Sequence, residues 1–247
     1  ELEFGVGNIA QLTFAVEGTS LFEGHPNPNL RMVATLMPFR VGLLVPKDSE
    51  IRTVADLKGR PVPSGFQASP LFKVLFDGFL ATEGLSFEDV QQVPVSGRGQ
   101  MLDLFMQGKV PTAIMTLGDA LVKQVDATLG GVRYLSFDDS PQALAALNGH
   151  LPGVKFELMQ SAPQLTGLLA PSNLMYYDYT LFSGKDVPEI VVYQVVQAMY
   201  ENPTGLTVTG PLWVNFTAAG MSKDVGLEYH PGAIKFYKEM GIWPAQR

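Results

Sequence analysis

The 247-residue chain has no cysteine. That excludes disulfides, thiol catalysis and thiolate metal sites, and it fits an oxidising compartment where unpaired thiols are a liability. Charged residues make up only 17% of the chain, and 24 acids against 17 bases leave a formal net charge of −7. Nucleic-acid binders carry a basic stripe, so no nucleic-acid partner is expected. No apolar run approaches the roughly 18 residues of a bilayer-spanning helix, so no direct membrane insertion is expected either. Histidine is scarce: His25, His150 and His230 lie in separate turns, each next to or near proline or glycine. No histidine pair at helical spacing and no carboxylate cluster accompanies them, so neither a metal nor another cofactor is expected. His230 is placed to cap the last helix. Gly5 and Gly7 lack the further glycines of a dinucleotide fingerprint, and there is no P-loop and no nucleophile elbow. No catalytic residue is assigned.

Hydrophobic residues make up 46% of the chain, enough for one large domain or two modest ones, each with its own core. Strand-like runs at residues 3–7, 30–36, 41–45, 90–95, 110–116, 132–135 and 174–182 alternate with helical patterns. The helices are expected over 9–22, 70–82 and 101–106, after Asp119, after Ser140-Pro141, from 187–188 to 202, and over the last segment from Pro231. Met37-Pro38-Phe39-Arg40 reads as a break between two strands. Between 151 and 172, proline and glycine interrupt every pattern, and only 165–169 reads as a strand. Strands alternating with helices of 10 to 15 residues imply an α/β fold with largely parallel sheets.

The stretch at 50–62 organises the rest. Thr53 is placed to cap a short helix, with Asp56 three residues on and Gly59 as a left-handed stop. Beyond a polar turn, Ser69 is a second N-cap and Pro70 takes the first helical position, which leaves a bare helix N-terminus.

Residues 51–62, I-R-T-V-A-D-L-K-G-R-P-V, resemble the crossover segment of type II periplasmic solute-binding proteins. Residues 230–241, H-P-G-A-I-K-F-Y-K-E-M-G, resemble the ending of the TAXI family, the receptors of tripartite ATP-independent periplasmic (TRAP) transporters. A-T-E-G-L-S-F-E-D-V at 81–90, and D-V-P-E-I-V-V-Y at 186–193 with Glu201-Asn202, are similar to further family segments in the same order. The resemblance implies a two-lobe α/β receptor of type II, with mostly parallel sheets flanked by helices and a ligand cleft between the lobes. Residues 1–60 with 171–247 would form lobe one, and 61–170 lobe two. In the family a strand and a Gly-rich turn precede the counterpart of 4–7, and the chain opens as if on an internal strand. Lobe one is therefore expected to be incomplete at its N-terminus.

The resemblance also implies a periplasmic location, a small-molecule ligand (a carboxylate, amino-acid-like or aromatic acid), permease subunits of a TRAP transporter as partners, and no catalysis. The alternative is an enzyme or effector-sensing domain on the same fold, which would need a reactive constellation that this sequence lacks.

Ligands of open α/β sheets bind at the carboxyl ends of strands, against helix N-termini. The candidate contacts are Asn8 (with Gln11), Phe66, Gln67, Ser69, Thr116, Asp119 and Tyr177, and the turn at 96–98 is a further candidate. Arg40 and Arg98 are the candidates for a bidentate hold on an anion. Ser69 and Asp119 serve equally well as plain helix caps. Tyr177 and Tyr179 share one strand face and Tyr176 takes the other, so one set at most lines a site. Phe66 and Gln67 replace small residues of the family's G-x-x-G-S-G-T loop, so Phe66 is expected to stack on a larger or flatter ligand.

Overall fold

The computed structural model describes residues 3–208, 213 and 215–243. In chain order the first elements are β1 (Phe4–Asn8), α1 (Ile9–Glu17), β2 (Leu30–Pro46), β3 (Pro61–Gly65), α2 (Pro70–Ala81), β4 (Gln91–Val95) and α3 (Arg98–Met106). Next come β5 (Ala113–Thr116), α4 (Ala120–Leu129), β6 (Val132–Tyr134), α5 (Pro141–His150) and β7 (Lys155–Met159). The chain continues with β8 (Ser172–Gly184), α6 (Glu189–Glu201), α7 (Pro203–Thr207) and α8 (Pro231–Glu239).

Two compact units result. One is the chain up to Phe39 and from Tyr177 onward, and the other is Arg40–Tyr176. Both changes of unit fall inside long strands, β2 and β8. The crossover-like segment at 51–62 puts the first change near residue 61, and Met37-Pro38 reads as a break between two strands. In the structure the strand runs straight through. The fixed φ of proline, and the extended bias it places on the preceding residue, are both compatible with a strand.

In the first unit β1 pairs antiparallel with β8, from Phe4↔Ser183 to Asn8↔Tyr179. Helix α1 starts directly from Asn8 and stops at Gly18 in the left-handed conformation, earlier than its periodicity suggests. The core gathers Met32, Val33, Val192, Val196, Phe236 and Tyr237. The segment from His230 explains itself physically. His230 Nδ1 accepts the Gly232 N–H at 3.1 Å, which closes the start of α8 as expected. A Cβ on Gly232 would collide with the Glu189 carbonyl at the head of α6, so glycine is what lets the two helices meet. Tyr237 is fully buried and donates its hydroxyl to the Val33 carbonyl at 2.7 Å.

In the second unit β2 pairs antiparallel with β5, from Val41↔Thr116 to Leu44↔Ala113, and with β6 from Leu44↔Tyr134 to Pro46↔Val132. Strand β7 pairs antiparallel with the start of β8. Only β3 and β4, joined through α2, run parallel among these pairs. The expectation of largely parallel sheets is corrected accordingly, since a short apolar run buried on both faces reads the same in either direction. The strand expected at 165–169 is a turn, with Leu168 N–H donating to the Leu165 carbonyl and Gly167 at φ +83°.

The stretch at 50–62 is anchored by Ile51, Val54 and Leu57, buried at three-residue spacing. Asp56 meets exposed N–H groups here as expected, while the Thr53 hydroxyl donates to that carboxylate and caps no N–H among the described residues. The Asp56 carboxylate accepts the N–H groups of Arg52 and Thr53 at 2.8 and 2.9 Å, and the Thr53 hydroxyl at 3.1 Å. Gly59 does take the left-handed turn, at φ +69°, and donates its N–H to the Asp89 carbonyl at 2.7 Å.

Phe66 departs furthest from its expectation as an outward-facing stacking residue, because it lies in the core with 0% exposure. After Gly65 at φ +84°, Phe66 itself adopts φ +54°, which aims its ring between Phe72 and Phe76 at centroid distances of 5.8 and 5.7 Å. On the far side of α2, Gly78 lets α5 approach: a Cβ there would meet Leu147 and Leu151 methyls at 3.0 Å.

Two outcomes are expected. Phe66→Ala lowers the unfolding free energy in urea by roughly 3–5 kcal/mol, the usual range for emptying a Phe-sized core position. Asp56 has a folded pKa lowered chiefly by the Thr53 and Arg52 N–H groups. Its contribution is therefore complete above the unfolded value of about 3.9 and fades as pH falls through the lower folded value. In an acid titration of stability, Asp56→Asn should flatten the loss seen below about pH 4.

Candidate ligand-binding site

The parallel pair β3–β4 ends at Gly65↔Val95. Beyond it the two loops stay joined, with Phe66 N–H donating to the Val95 carbonyl at 2.8 Å and Ala68 N–H to the Ser96 carbonyl at 2.7 Å. A Cβ on Gly97 would stand 3.0 Å from the Ser69 hydroxyl, so the residues that open α2 and α3 lie side by side. Neither helix start is closed by its own side chain: Ser69 and Gly97 make no side-chain capping bond. Two positive helix ends therefore share one edge, a natural place for an anion. Gln67 and Ala68 are exposed there and Ser69 is half-buried.

A third helix start joins them. Strand β5 ends at Thr116, whose carbonyl accepts the Asp119 N–H at 3.1 Å. Asp119 caps α4 through the Leu121 N–H at 2.9 Å, and its other carboxylate oxygen holds the guanidinium of Arg98, the first residue of α3. Leu117 N–H donates to the Arg40 carbonyl at 2.7 Å. Gln67, Ser69, Arg98, Thr116, Asp119 and Arg40 thus belong to one connected cluster in the second unit.

Arg40 is not waiting for a ligand. Its Nε and Nη2 donate to the two Glu157 oxygens at 2.8 and 3.0 Å, and its guanidinium lies 5.5 Å from the Tyr176 ring centroid. With only 18% of its side chain exposed, this guanidinium needs a carboxylate to offset lost hydration. Glu157 sits on β7, within the stretch whose pattern proline and glycine obscure, and so escaped the sequence reading. Tyr134 escaped it too. This tyrosine is 4% exposed, its ring lies against Gly42 and Gly167, and its hydroxyl has no hydrogen-bond partner among the described residues. The one hint was a glycine inside the apolar run at 41–45.

Asn8 and Tyr177 belong to the first unit. Asn8 is 4% exposed and spends both ends of its amide locally, accepting the Gln11 N–H at 2.8 Å and donating to Gln11 Oε1 at 2.7 Å. The Tyr177 ring stacks on Phe39 at 5.7 Å and 6°, and Tyr179 closes the trio at 4.8 Å from Phe39. Burial, and after it the neighbouring Tyr179, push the Tyr177 hydroxyl above the usual tyrosine range. The shared face of Tyr177 and Tyr179 is as the strand period implies. The first unit also holds a hollow of about 310 Å³ lined by Leu36, Met37, Phe39, Tyr179, Met199 and Trp213, among other apolar residues. With no charged side chain in its lining, it lacks the convergent polar groups of the second unit.

Among the described residues there is no group of three or more histidine, aspartate or glutamate side chains that could hold a metal ion. No described helix is long and apolar enough to cross a membrane.

Asp119 carries two separable duties. Asp119→Asn keeps the cap of α4 but weakens the hold on Arg98, which for a partly exposed pair removes at most about 1 kcal/mol. Asp119→Ala removes both, and urea unfolding should show it about 1 kcal/mol less stable than Asp119→Asn.

Solved structures with a similar arrangement of elements include periplasmic binding proteins. A periplasmic transporter structure superposes with a TM-score of 0.55 at 14% identity, over 96% of this chain and 73% of that one. The periplasmic aliphatic sulphonate binding protein SsuA from Escherichia coli gives 0.50 at 21% identity, over 84% of this chain. The chain spans 57% of the length of that protein. MatC from Rhodopseudomonas palustris, solved with bound malate, gives 0.50 at 16% identity, over 87% of this chain and 70% of that one. The fold is thus the α/β fold of the periplasmic binding proteins. Residues 1–241 match the NMT1-like family, and the chain belongs to that family.

Proposed function

We propose that this chain is a non-catalytic, extracytoplasmic solute receptor. It captures a small organic anion, a carboxylate or sulfonate, and hands it to the permease subunits of a TRAP-type transporter. The observation that carries the reading is the pair of uncapped helix starts, α2 and α3, zipped together at the carboxyl ends of β3 and β4. An anion at one such end gains about 0.3–1 kcal/mol when exposed and up to ~2 kcal/mol when partly buried. Arg98 stands at the same edge to complete the charge balance. Aliphatic sulphonates and malate, named for two structural neighbours, are both oxyanions of this size. The TAXI-like segments at 51–62, 81–90, 186–193 and 230–241 support a TRAP-type partner and a periplasmic location. The sequence carries no nucleophile elbow, P-loop or dinucleotide fingerprint that would favour an enzyme reading.

The test is a thermal-shift and calorimetric panel of acetate, succinate, malate, ethanesulfonate, benzoate and neutral amino acids. At least one organic anion should stabilise the protein saturably, adding about 2.7 kcal/mol at one hundred times its dissociation constant, and should be recovered unchanged. A panel in which no anion binds, or one in which a bound anion is chemically converted, overturns the receptor reading.

A further inference from the structure

Tyr134 stands out as a buried polar group left without a partner. Its register on β6 places it opposite Leu44 of β2. The ring then runs along the sheet past Gly42, where a Cβ would come within 3.1 Å of Tyr134 Cδ1 and 2.9 Å of a Leu174 methyl. On the other side a Cβ on Gly167 would meet the ring at 3.3 Å. Two glycines thus make the slot that holds the ring. Gly42 pairs with Met115, and Val41 beyond it with Thr116, so the slot leads toward the end of β5 and the loop at 116–119. The Asp119 carboxylate lies near enough to the hydroxyl for its charge to oppose ionisation, after burial itself. The hydroxyl is therefore a neutral donor at any working pH. Met115, the partner of Gly42, has its sulfur 4.0 Å from Arg98 Nη2, so the slot runs toward the Arg98–Asp119 pair.

An apolar phenylalanine would fill such a slot without a penalty, whereas a buried hydroxyl with no acceptor costs stability. We propose that Tyr134 is a ligand-binding residue: its hydroxyl donates a hydrogen bond to an oxygen of a bound organic oxyanion that has taken the place of Asp119 at Arg98. This rests on the receptor reading above and deepens it, since it requires a ligand that offers Arg98 one oxygen and Tyr134 another. Carboxylates and sulfonates meet that requirement, and monocations and neutral amines do not.

Tyr134→Phe tests it, with succinate and ethanesulfonate as probes in isothermal titration calorimetry and melting measured with and without each probe. Loss of a hydrogen bond to a charged group should weaken binding roughly tenfold to a hundredfold. Without the probe, the variant should melt at the same temperature as the wild type or higher, because an orphaned hydroxyl has been removed. Equal affinity in wild type and variant overturns the assignment of Tyr134 and leaves the receptor reading standing. A lower melting point without the probe also overturns it, since the hydroxyl would then serve a partner inside the protein. If neither probe binds the wild type while another anion of the panel does, that anion takes their place as the probe, and equal affinity for it in wild type and Tyr134→Phe overturns the assignment. If no anion binds at all, both readings fall.

Discussion

The parallel pairing of β3 with β4 is the constraint on which the candidate site depends. A parallel pair requires a crossover, here α2, and it delivers both strands to the same edge with their following helices starting there. The hydrogen bond from Ala68 N–H to the Ser96 carbonyl extends the register past the strands and fixes the two helix starts beside each other. Each start behaves as about half a positive charge, so their juxtaposition is unfavourable unless negative charge lies near. The Asp119 carboxylate, held by Arg98 at the start of α3, supplies some of that charge from within the chain.

Electrostatics at the site follow from burial. Arg40 is mostly covered and Arg98 partly so, and each is paired with a carboxylate, Glu157 and Asp119 respectively. A covered guanidinium without a counterion would leave a desolvated charge uncompensated, so neither arginine stands ready as bare positive charge. Under the proposed function, an anion arriving at Arg98 would have to exchange with a carboxylate. Such exchange returns only the difference between two similar interactions, which places the discrimination between ligands in additional contacts such as hydroxyl donors. Arg40, clamped in two-pronged geometry and resting over Tyr176, serves as structure: it ties β2 to β7.

Elements whose cause is local were readable in the sequence. Ser69-Pro70, Asp119, Ser140-Pro141 and His230-Pro231 each mark a helix start that the structure contains, and Gly59 marks a left-handed turn. Features whose cause is a distant residue were not. Strand direction depends on which run pairs with which, and a buried apolar run carries no mark of direction. Glu157 meets Arg40 across 117 positions, and Tyr134 meets Gly42 across the sheet. The continuity of β2 through Pro38 was hidden because proline is compatible with a strand yet commonly marks its end. The helix starts that frame the candidate site were thus legible, while the partners that decide what each side chain is free to do were not.

Phe66 shows how a loop departure changes its meaning once backbone geometry is included. A bulky residue at positive φ is unfavourable by roughly 1–2 kcal/mol. Burying a phenylalanine ring returns roughly 1.5–3 kcal/mol, so the turned-in conformation is sustained by packing against Phe72 and Phe76. Turning the ring inward leaves Gln67 and Ala68 facing outward with Ser69 half-buried beside them, so the loop presents backbone and small polar groups to its surroundings. The resembled family places glycine and serine in this loop, and the large residue here fills space beneath the loop without narrowing it. At the proposed site, the spacing of the α2, α3 and α4 starts would then limit ligand size, and the β3–β4 register and the Arg98–Asp119 pair hold those starts in place.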